Sequence, residues 1–153
     1  MRLLEEAGIA FEVHRYDPAL TDGGSIARVL GTDPDATCKT LVTTGGDKKY
    51  FVFVLPVDRE LDLKACARLA GVKSVEMLPQ KELFPLTGYV HGGCSPLGMR
   101  KRFPTYFESL VAGLPLITLS AGKTGRQVTV SPKELMGLCD ASSGSFSRPK
   151  SGD

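Results

Sequence analysis

The sequence predicts an α+β fold, a mixed β-sheet that curls toward a barrel with helices packed outside it. Three observations predict this. Runs of β-forming residues alternate with helical runs along the chain. Two pairs of these runs flank short glycine-bearing turns, as hairpins do. The turn signals recur so closely that about seven short strands fit the length. With 153 residues, 42% hydrophobic and 24% charged, the chain has the balance of a globular domain with one core. No internal repeat and no second domain is visible.

The elements follow in order. Arg2 to Ala7 reads as a short helix stopped by Gly8. Ile9 to Tyr16 alternates as a strand, with Phe11 and Val13 on one side and Glu12, His14 and Tyr16 on the other. Residues 17–24 have the composition of a loop. Ser25, as an N-cap, opens a helix that ends at Leu30 before Gly31. Thr37 to Thr44 and Lys49 to Leu55 flank Gly45-Gly46-Asp47-Lys48, which predicts a hairpin, and Phe51 to Leu55 is apolar enough to be buried on both faces. Lys39 is the odd cation of that hairpin, and a lysine so placed commonly snorkels to the surface.

Leu61 to Ala70 carries Leu63, Cys66, Ala67 and Ala70 at helical spacing, with Asp62 as cap or first-turn acid and Gly71 as stop. Val72 to Leu78 reads as a short strand. Pro79 to Leu83 starts a short helix with proline near its first turn. Leu116 to Ser120 and Arg126 to Val130 form a second hairpin around residues 121–125. Ser131, Pro132 and Glu134 supply the cap, the first-turn proline and the acid of a helix that reaches about Cys139. Residues 142–153 are rich in serine and glycine and are expected to be disordered. The domain is therefore placed at 1–140 and a disordered tail at 141–153.

Composition narrows the function. The net charge of +2 is no global polycation, so any nucleic-acid contact must come from a local patch. No apolar run approaches the ~20 residues that span a bilayer, and the first residues lack the apolar core of a signal peptide. A cytoplasmic location is expected, with no membrane and no DNA partner. The cysteines Cys38, Cys66, Cys94 and Cys139 form no C-x-x-C pair, and His14 and His91 do not join them at zinc-ligand spacing. Neither a metal nor a cofactor is predicted.

The chemistry concentrates in residues 87–102. Gly92, Gly93 and Gly98 lie close together, Ser95 and Pro96 stand between them, and Arg100, Lys101 and Arg102 follow. A glycine-rich turn can aim several backbone N–H groups at an anion or a developing oxyanion. The cations beside it suit a ligand carrying phosphate, although a tight turn with a solvated basic edge has the same composition. The stretch is neither a Walker loop nor a dinucleotide fingerprint.

Four segments in order carry a resemblance: Phe11 to Tyr16, Cys38-Lys-Thr-Leu41, the glycine-rich stretch from Thr87 to Gly98, and Ser120 to Gly125. Together they resemble the YbaK/EbsC family, free-standing relatives of the editing domain inserted in bacterial prolyl-tRNA synthetases. The likeness covers roughly residues 1 to 140. It implies a mixed, strongly curved, barrel-like sheet flanked by helices. It also implies a trans-editing aminoacyl-tRNA deacylase that removes a wrongly attached residue, foremost cysteine from Cys-tRNA(Pro), with Cys-tRNA(Cys) and Ala-tRNA(Pro) as further substrates. The implied partners are the aminoacylated 3′ end of tRNA and prolyl-tRNA synthetase.

The resemblance implies the site as well. Lys39 matches a lysine at the aminoacyl-adenosine end, and Gly92, Gly93 and Ser95 match the loop that holds the aminoacyl group. Tyr16, Thr40, Pro96, Gly98, Ser120 and Gly122 complete the substrate-binding set. Arg100, Lys101, Arg102, Lys123 and Arg126 are candidates for following the tRNA backbone. A protein nucleophile is not evident. Cys38 adjoins Lys39, but neighbours on a strand face opposite ways, and Cys94 reads as a small apolar filler. In the cysteine-specific relatives the substrate's own thiol attacks its ester, and in alanine-specific ones water does. A non-catalytic tRNA- or nucleotide-binding module is the alternative. Residues 22–25, His91, Ala121 and Gln127 depart from the family pattern at the pocket wall, where amino acids are told apart.

Overall fold

The computed structural model describes residues 2–20 and 22–150. The backbone is a mixed α+β arrangement, built around β2 (Cys38–Gly46) and β3 (Lys49–Pro56), which pair antiparallel along their length. Their connection puts Asp47 and Lys48 at φ of 49° and 59°. Two successive positive-φ residues are the turn geometry that matches strand twist. Val52, Phe53, Val54 and Leu55 are at most 1% exposed, so β3 is the two-faced central strand its composition predicted.

The five-stranded sheet runs β5 (Glu76–Met77), β2, β3, β6 (Thr105–Glu108), β9 (Ser142–Gly144). A three-stranded antiparallel sheet runs β1 (Phe11–Arg15), β8 (Arg126–Val130), β7 (Ile117–Ser120). A third ladder pairs β4 (Arg59–Leu61) with β10 (Ser147–Pro149). Among the described residues, one parallel bridge, Thr37 to Thr118, links the two larger sheets, and none of the three sheets closes on itself.

The helices are α1 (Arg2–Glu6), α2 (Gly23–Leu30), α3 (Leu63–Ala70), α4 (Gln80–Thr87), α5 (Ser109–Ala112) and α6 (Pro132–Cys139). Asp62 caps α3 by accepting from the Ala65 N–H at 3.2 Å, and Cys66 and Ala67 are buried against Phe51, Phe53 and Leu55. Ser131 caps α6 as its sequence predicted, accepting from Glu134 N–H at 3.3 Å.

Several local expectations are corrected. The cap of α2 is Asp22, whose carboxylate accepts from both the N–H and the hydroxyl of Ser25, so the helix begins two residues before Ser25. Val13 on β1 is 41% exposed rather than packed, because β1 pairs only with β8 and forms a sheet edge. Of Val72 to Leu78 only Glu76 and Met77 are strand. The helix expected to stop at Leu83 continues to Thr87.

The largest correction concerns the carboxy-terminal segment. Residues 142–149 were expected to be disordered and instead contain β9 and β10. Phe146 between them is 1% exposed and lies 4.9 Å from the Phe53 ring. Its N–H donates to the buried Glu108 carboxylate at 3.0 Å, and its carbonyl accepts from Asp62 N–H at 2.8 Å. One buried aromatic and two backbone hydrogen bonds outweigh a composition that by itself favours disorder. Residues 151–153 lie outside the described residues.

Candidate functional site

A cavity of about 470 Å³ opens along one edge of β2. Among the described residues, a bridge from Thr37, just before β2, reaches β7 on that edge, and the β5 side pairs at Thr43 and Thr44 and bonds on to Val42. Val57 N–H donates to Thr37 on the β3 side, while Leu78 N–H donates to Val42 on the open side. Alternate residues of a strand direct their main-chain groups to opposite sides. Thr40 therefore turns its N–H and C=O into the gap, and residues 38–42 line the cavity.

The floor comes from the three-stranded sheet. Ile117, Leu119, Val128 and Val130 face the main core, so the residues between them face the other way. Ser120 pairs across from Gln127, and Gln127 across from His14. His14 Nε2 and the Thr129 hydroxyl are hydrogen-bonded at 2.8 Å, and that hydroxyl meets the Thr118 hydroxyl at 2.7 Å. One face of this sheet is thus apolar core, and the other is a run of hydroxyl, amide and imidazole groups that reaches the cavity through Ser120 and Gln127.

Two buried polar atoms in the described residues have no partner: Thr40 Oγ1 and Gln127 Oε1. Both belong to residues that line the cavity. A buried unpaired polar atom costs about 1–3 kcal/mol, so their joint occurrence at one cavity marks a place built for something other than stability. Lys39, half-buried on the same wall, adds a charge. Burial, and then the nearby Lys150 charge, holds its pKa below the ordinary 10.5. Tyr16, Asp22 and Gly92 stand at other sides of the cavity. Hydrogen bonds from the Ser25 hydroxyl and then its N–H hold the Asp22 carboxyl below the usual carboxylate range.

The structure divides the remaining residues singled out by sequence. Gly93, Ser95, Pro96, Gly98 and Gly122 do not line this cavity. Ser95 Oγ accepts from Leu97 N–H at 3.1 Å, and Ser120 Oγ accepts from Gly122 N–H at 3.2 Å. A Cβ on Gly93 would lie 3.1 Å from the Thr124 nitrogen, so the glycine stretch and the 121–125 turn touch backbone to backbone there. Tyr89 sits between the same two loops. Its hydroxyl donates to the Leu97 carbonyl, and a Cβ would come within 2.9 Å of it at Gly98 and 3.2 Å of its ring at Gly122. Pro96 and Gly98 instead border a separate cavity of about 230 Å³ with Lys101 and Arg102.

Two of the five cations singled out are already engaged. The Arg100 guanidinium lies 4.9 Å from the Phe84 ring centre, and Arg102 donates to the Leu138 carbonyl at 3.2 Å. Lys101, Lys123 and Arg126 are exposed. Neither cysteine near the site offers a thiolate, since burial pushes both Cys38 and Cys94 up to about 12. Among the described residues no three His, Cys, Asp or Glu side chains gather as a metal site would need, and no helix is long and apolar enough to cross a membrane.

Sequence reasoning missed Lys150 and Tyr89 as parts of the site, and it placed Gln127 at the pocket wall only as a departure from the family pattern, without its buried, unpartnered oxygen. Gln127 was visible as a polar residue between Arg126 and Val128 on a strand, which alternation assigns to the face away from the core. Lys150 gave no such signal, because the ladder that delivers it pairs β10 with β4, far along the chain, and Tyr89 stands outside the glycine motif it supports.

Residues 18–138 match the model of the aminoacyl-tRNA editing domain. The chain is 39% identical over 140 residues to EbsC of Enterococcus faecalis, named as a candidate Cys-tRNA(Pro)/Cys-tRNA(Cys) deacylase, covering 90% of this chain and 85% of that protein. A solved structure described as a candidate trans-editing enzyme for prolyl-tRNA synthetase superposes with a TM-score of 0.85 at 25% identity, over 96% of this chain and 93% of that one. The hypothetical protein APE2540 shares the fold, with a TM-score of 0.88 at 20% identity over 96% and 97% of the two chains.

Proposed function

The chain belongs to the aminoacyl-tRNA editing domain family, and from that premise we propose that it is a trans-editing deacylase whose foremost substrate is Cys-tRNA(Pro), with Cys-tRNA(Cys) beside it. The observation that carries this reading is the cavity at the β2 edge, which gathers Lys39, the Thr40 main chain, Ser120 and Gln127 around unpartnered polar atoms without a reactive thiol. Such a site positions a substrate that is already activated.

The bond to be cut is an ester. In the cysteine case the substrate thiol attacks its own ester carbonyl, and the carbon–oxygen bond to the ribose breaks. The thiol proton ends on the ribose oxygen, and the cyclic thioester so formed is hydrolysed by water. Water attacks directly when alanine is the residue removed. Either route gains from proximity and orientation. Backbone N–H groups at the Thr40 edge and around Gly92 are suited to the developing oxyanion. Lys39 holds a phosphate or ribose oxygen of the terminal nucleotide, and Tyr16 flanks the aminoacyl group. Gly93, Ser95, Pro96, Gly98 and Gly122 act by fixing the loops, and Lys101, Lys123 and Arg126 are placed to follow the tRNA backbone. A pocket separate from a synthetase's own is needed, because one methylene discriminates by only ~1–3 kcal/mol. We read the two larger sheets, joined at Thr37, as one curved surface that cradles this pocket. The setting is cytoplasmic, with prolyl-tRNA synthetase as the partner that hands over charged tRNA.

Deacylation of Cys-tRNA(Pro), Ala-tRNA(Pro) and Pro-tRNA(Pro) by wild type and Lys39→Ala tests this. Release of cysteine but not proline, abolished by the substitution, is expected. Saturable tRNA binding with no release from any of the three would instead mark a binding module.

A further inference from the structure

The carboxy-terminal strand ends in the site. β10 pairs with β4 in the register Ser147 to Leu61, Arg148 to Glu60 and Pro149 to Arg59. Arg59 donates to the Ser147 hydroxyl at 2.8 Å and to its carbonyl at 3.0 Å, and Arg148 bridges Glu60 at 2.9 Å. Phe146, buried upstream, anchors the segment. The residue delivered by this ladder is Lys150, which lines the same cavity as Lys39.

Two ammonium groups therefore share one opening. Among the described residues, neither has a carboxylate within 4.0 Å. Three acids act on Lys39 from farther away: Glu60, Asp58 and Asp22. Asp22, whose carboxylate also feels the Lys150 charge, caps α2, Glu60 is engaged by Arg148, and Asp58 acts on Lys39 from beyond ion-pair distance. The Lys150 charge, meanwhile, opposes that of Lys39. Like charges placed together by a well-anchored strand are relieved by an anion between them.

We propose that Lys150 completes, with Lys39, a two-ammonium seat for a phosphodiester of a single-stranded nucleic-acid 3′ end, so that β10 contributes a substrate-binding residue from outside the segment matched by the family model. This rests on the proposed function for the identity of the nucleic acid, and it deepens that reading. The lysines hold the phosphate that precedes the terminal nucleoside, and the polar floor receives what that nucleoside carries.

The test measures binding of the trinucleotide CCA across a salt series, and steady-state deacylation of Cys-tRNA(Pro), for wild type, Lys150→Ala and Lys150→Arg. Lys150 is exposed, so the substitutions leave the fold intact. Removing Lys150 is expected to weaken trinucleotide binding about two- to fivefold, the range of an exposed ion pair. The slope of log affinity against log salt should flatten by about 0.7, the share of one contact to a single strand. KM should rise with kcat unchanged, and arginine should restore binding. Unchanged affinity, slope and KM in Lys150→Ala would overturn the seat while leaving deacylation by the wild type standing. Lysine-dependent trinucleotide binding without any deacylation would do the reverse. Absence of trinucleotide binding at low salt, with KM insensitive to Lys150, would also overturn the seat.

Discussion

Gly98→Ala puts the coupling of the two loops to direct trial. Gly98 has φ of +79°, where a residue with a Cβ costs about 1–2 kcal/mol. The added carbon would also lie 2.9 Å from the Tyr89 hydroxyl oxygen and 3.3 Å from Leu3 Cδ1. The leucine end is flexible and can yield. Tyr89 cannot, because its hydroxyl is bonded to the Leu97 carbonyl and its ring is packed on Gly122. Overpacking of this kind costs about 1–3 kcal/mol. The two contributions together give about 2–5 kcal/mol, a fall in Tm of about 4–20 °C at the 2–4 °C per kcal/mol of a chain this size.

Thermal unfolding of wild type, Gly98→Ala, Tyr89→Phe and the double variant separates the two contributions. Tyr89→Phe removes the oxygen that the new carbon would strike, so the steric part disappears and only the backbone part remains. The cycle should show a coupling of about 1–3 kcal/mol. Deacylation should fall with Gly98→Ala and recover in part in the double variant, since the wall of the cavity is what moves. An equal cost of Gly98→Ala in both backgrounds would refute Tyr89 as the pivot. A cost below about 1 kcal/mol would refute the strain at Gly98 as well.

Gln127→Leu removes a buried amide oxygen without a partner and should raise stability by about 1–3 kcal/mol, read as a higher Tm, while lowering kcat/KM for the charged tRNA. For Lys39, burial lowers the pKa below 10.5, so the unfolded chain holds this proton more tightly. The penalty is present in full below the folded pKa and is relieved as pH climbs to 10.5. Lys39→Met should therefore be more stable than wild type at neutral pH, and that advantage should vanish in alkaline denaturation curves. The double variant Cys38→Ala, Cys94→Ala should retain deacylation, because neither thiol ionises near neutral pH; loss of turnover in a folded variant would contradict this. Phe146→Ala should cost about 3–5 kcal/mol and raise KM beyond what Lys150→Ala does, since the strand carrying Lys150 loses its anchor.

What could be read from the chain, and what could not, follows from the range of the interactions involved. The β2–β3 hairpin, α3 and the opening of α6 are set by neighbours within a few residues, and their caps, turn and apolar runs appear where the sequence puts them. β6 was missed because its four residues pair parallel with β3 and β9, and a parallel pair has no turn to announce it. The 142–149 segment has a disordered composition. It is ordered by Glu108, Asp62 and Phe53, residues 38 to 93 positions away from Phe146 in the numbering. Asp22 displaced Ser25 as the cap because two acceptable capping residues stood three apart, and local rules do not rank them.

The same logic explains why the site was half legible. Lys39, Thr40 and Ser120 could be placed only through the family resemblance, since neighbours on a strand face opposite ways and alternation alone does not bring both Lys39 and Thr40 to one pocket. The role of the glycine stretch was harder to assign. Its composition suits either an anion-binding loop or a tight structural turn, and both uses occur: Gly92 lines the cavity, while Gly93 and Gly98 make room for Thr124 and Tyr89. The decisive feature is the open edge of β2. A central strand normally has both edges paired, and here the flanking partners stop at Thr37 and Val42. Left between them are the Thr40 main-chain groups, facing a polar floor from one sheet and a lysine from the other. That break falls where the two larger sheets are joined by the Thr37 bridge, so the pocket belongs to the topology rather than to any one motif.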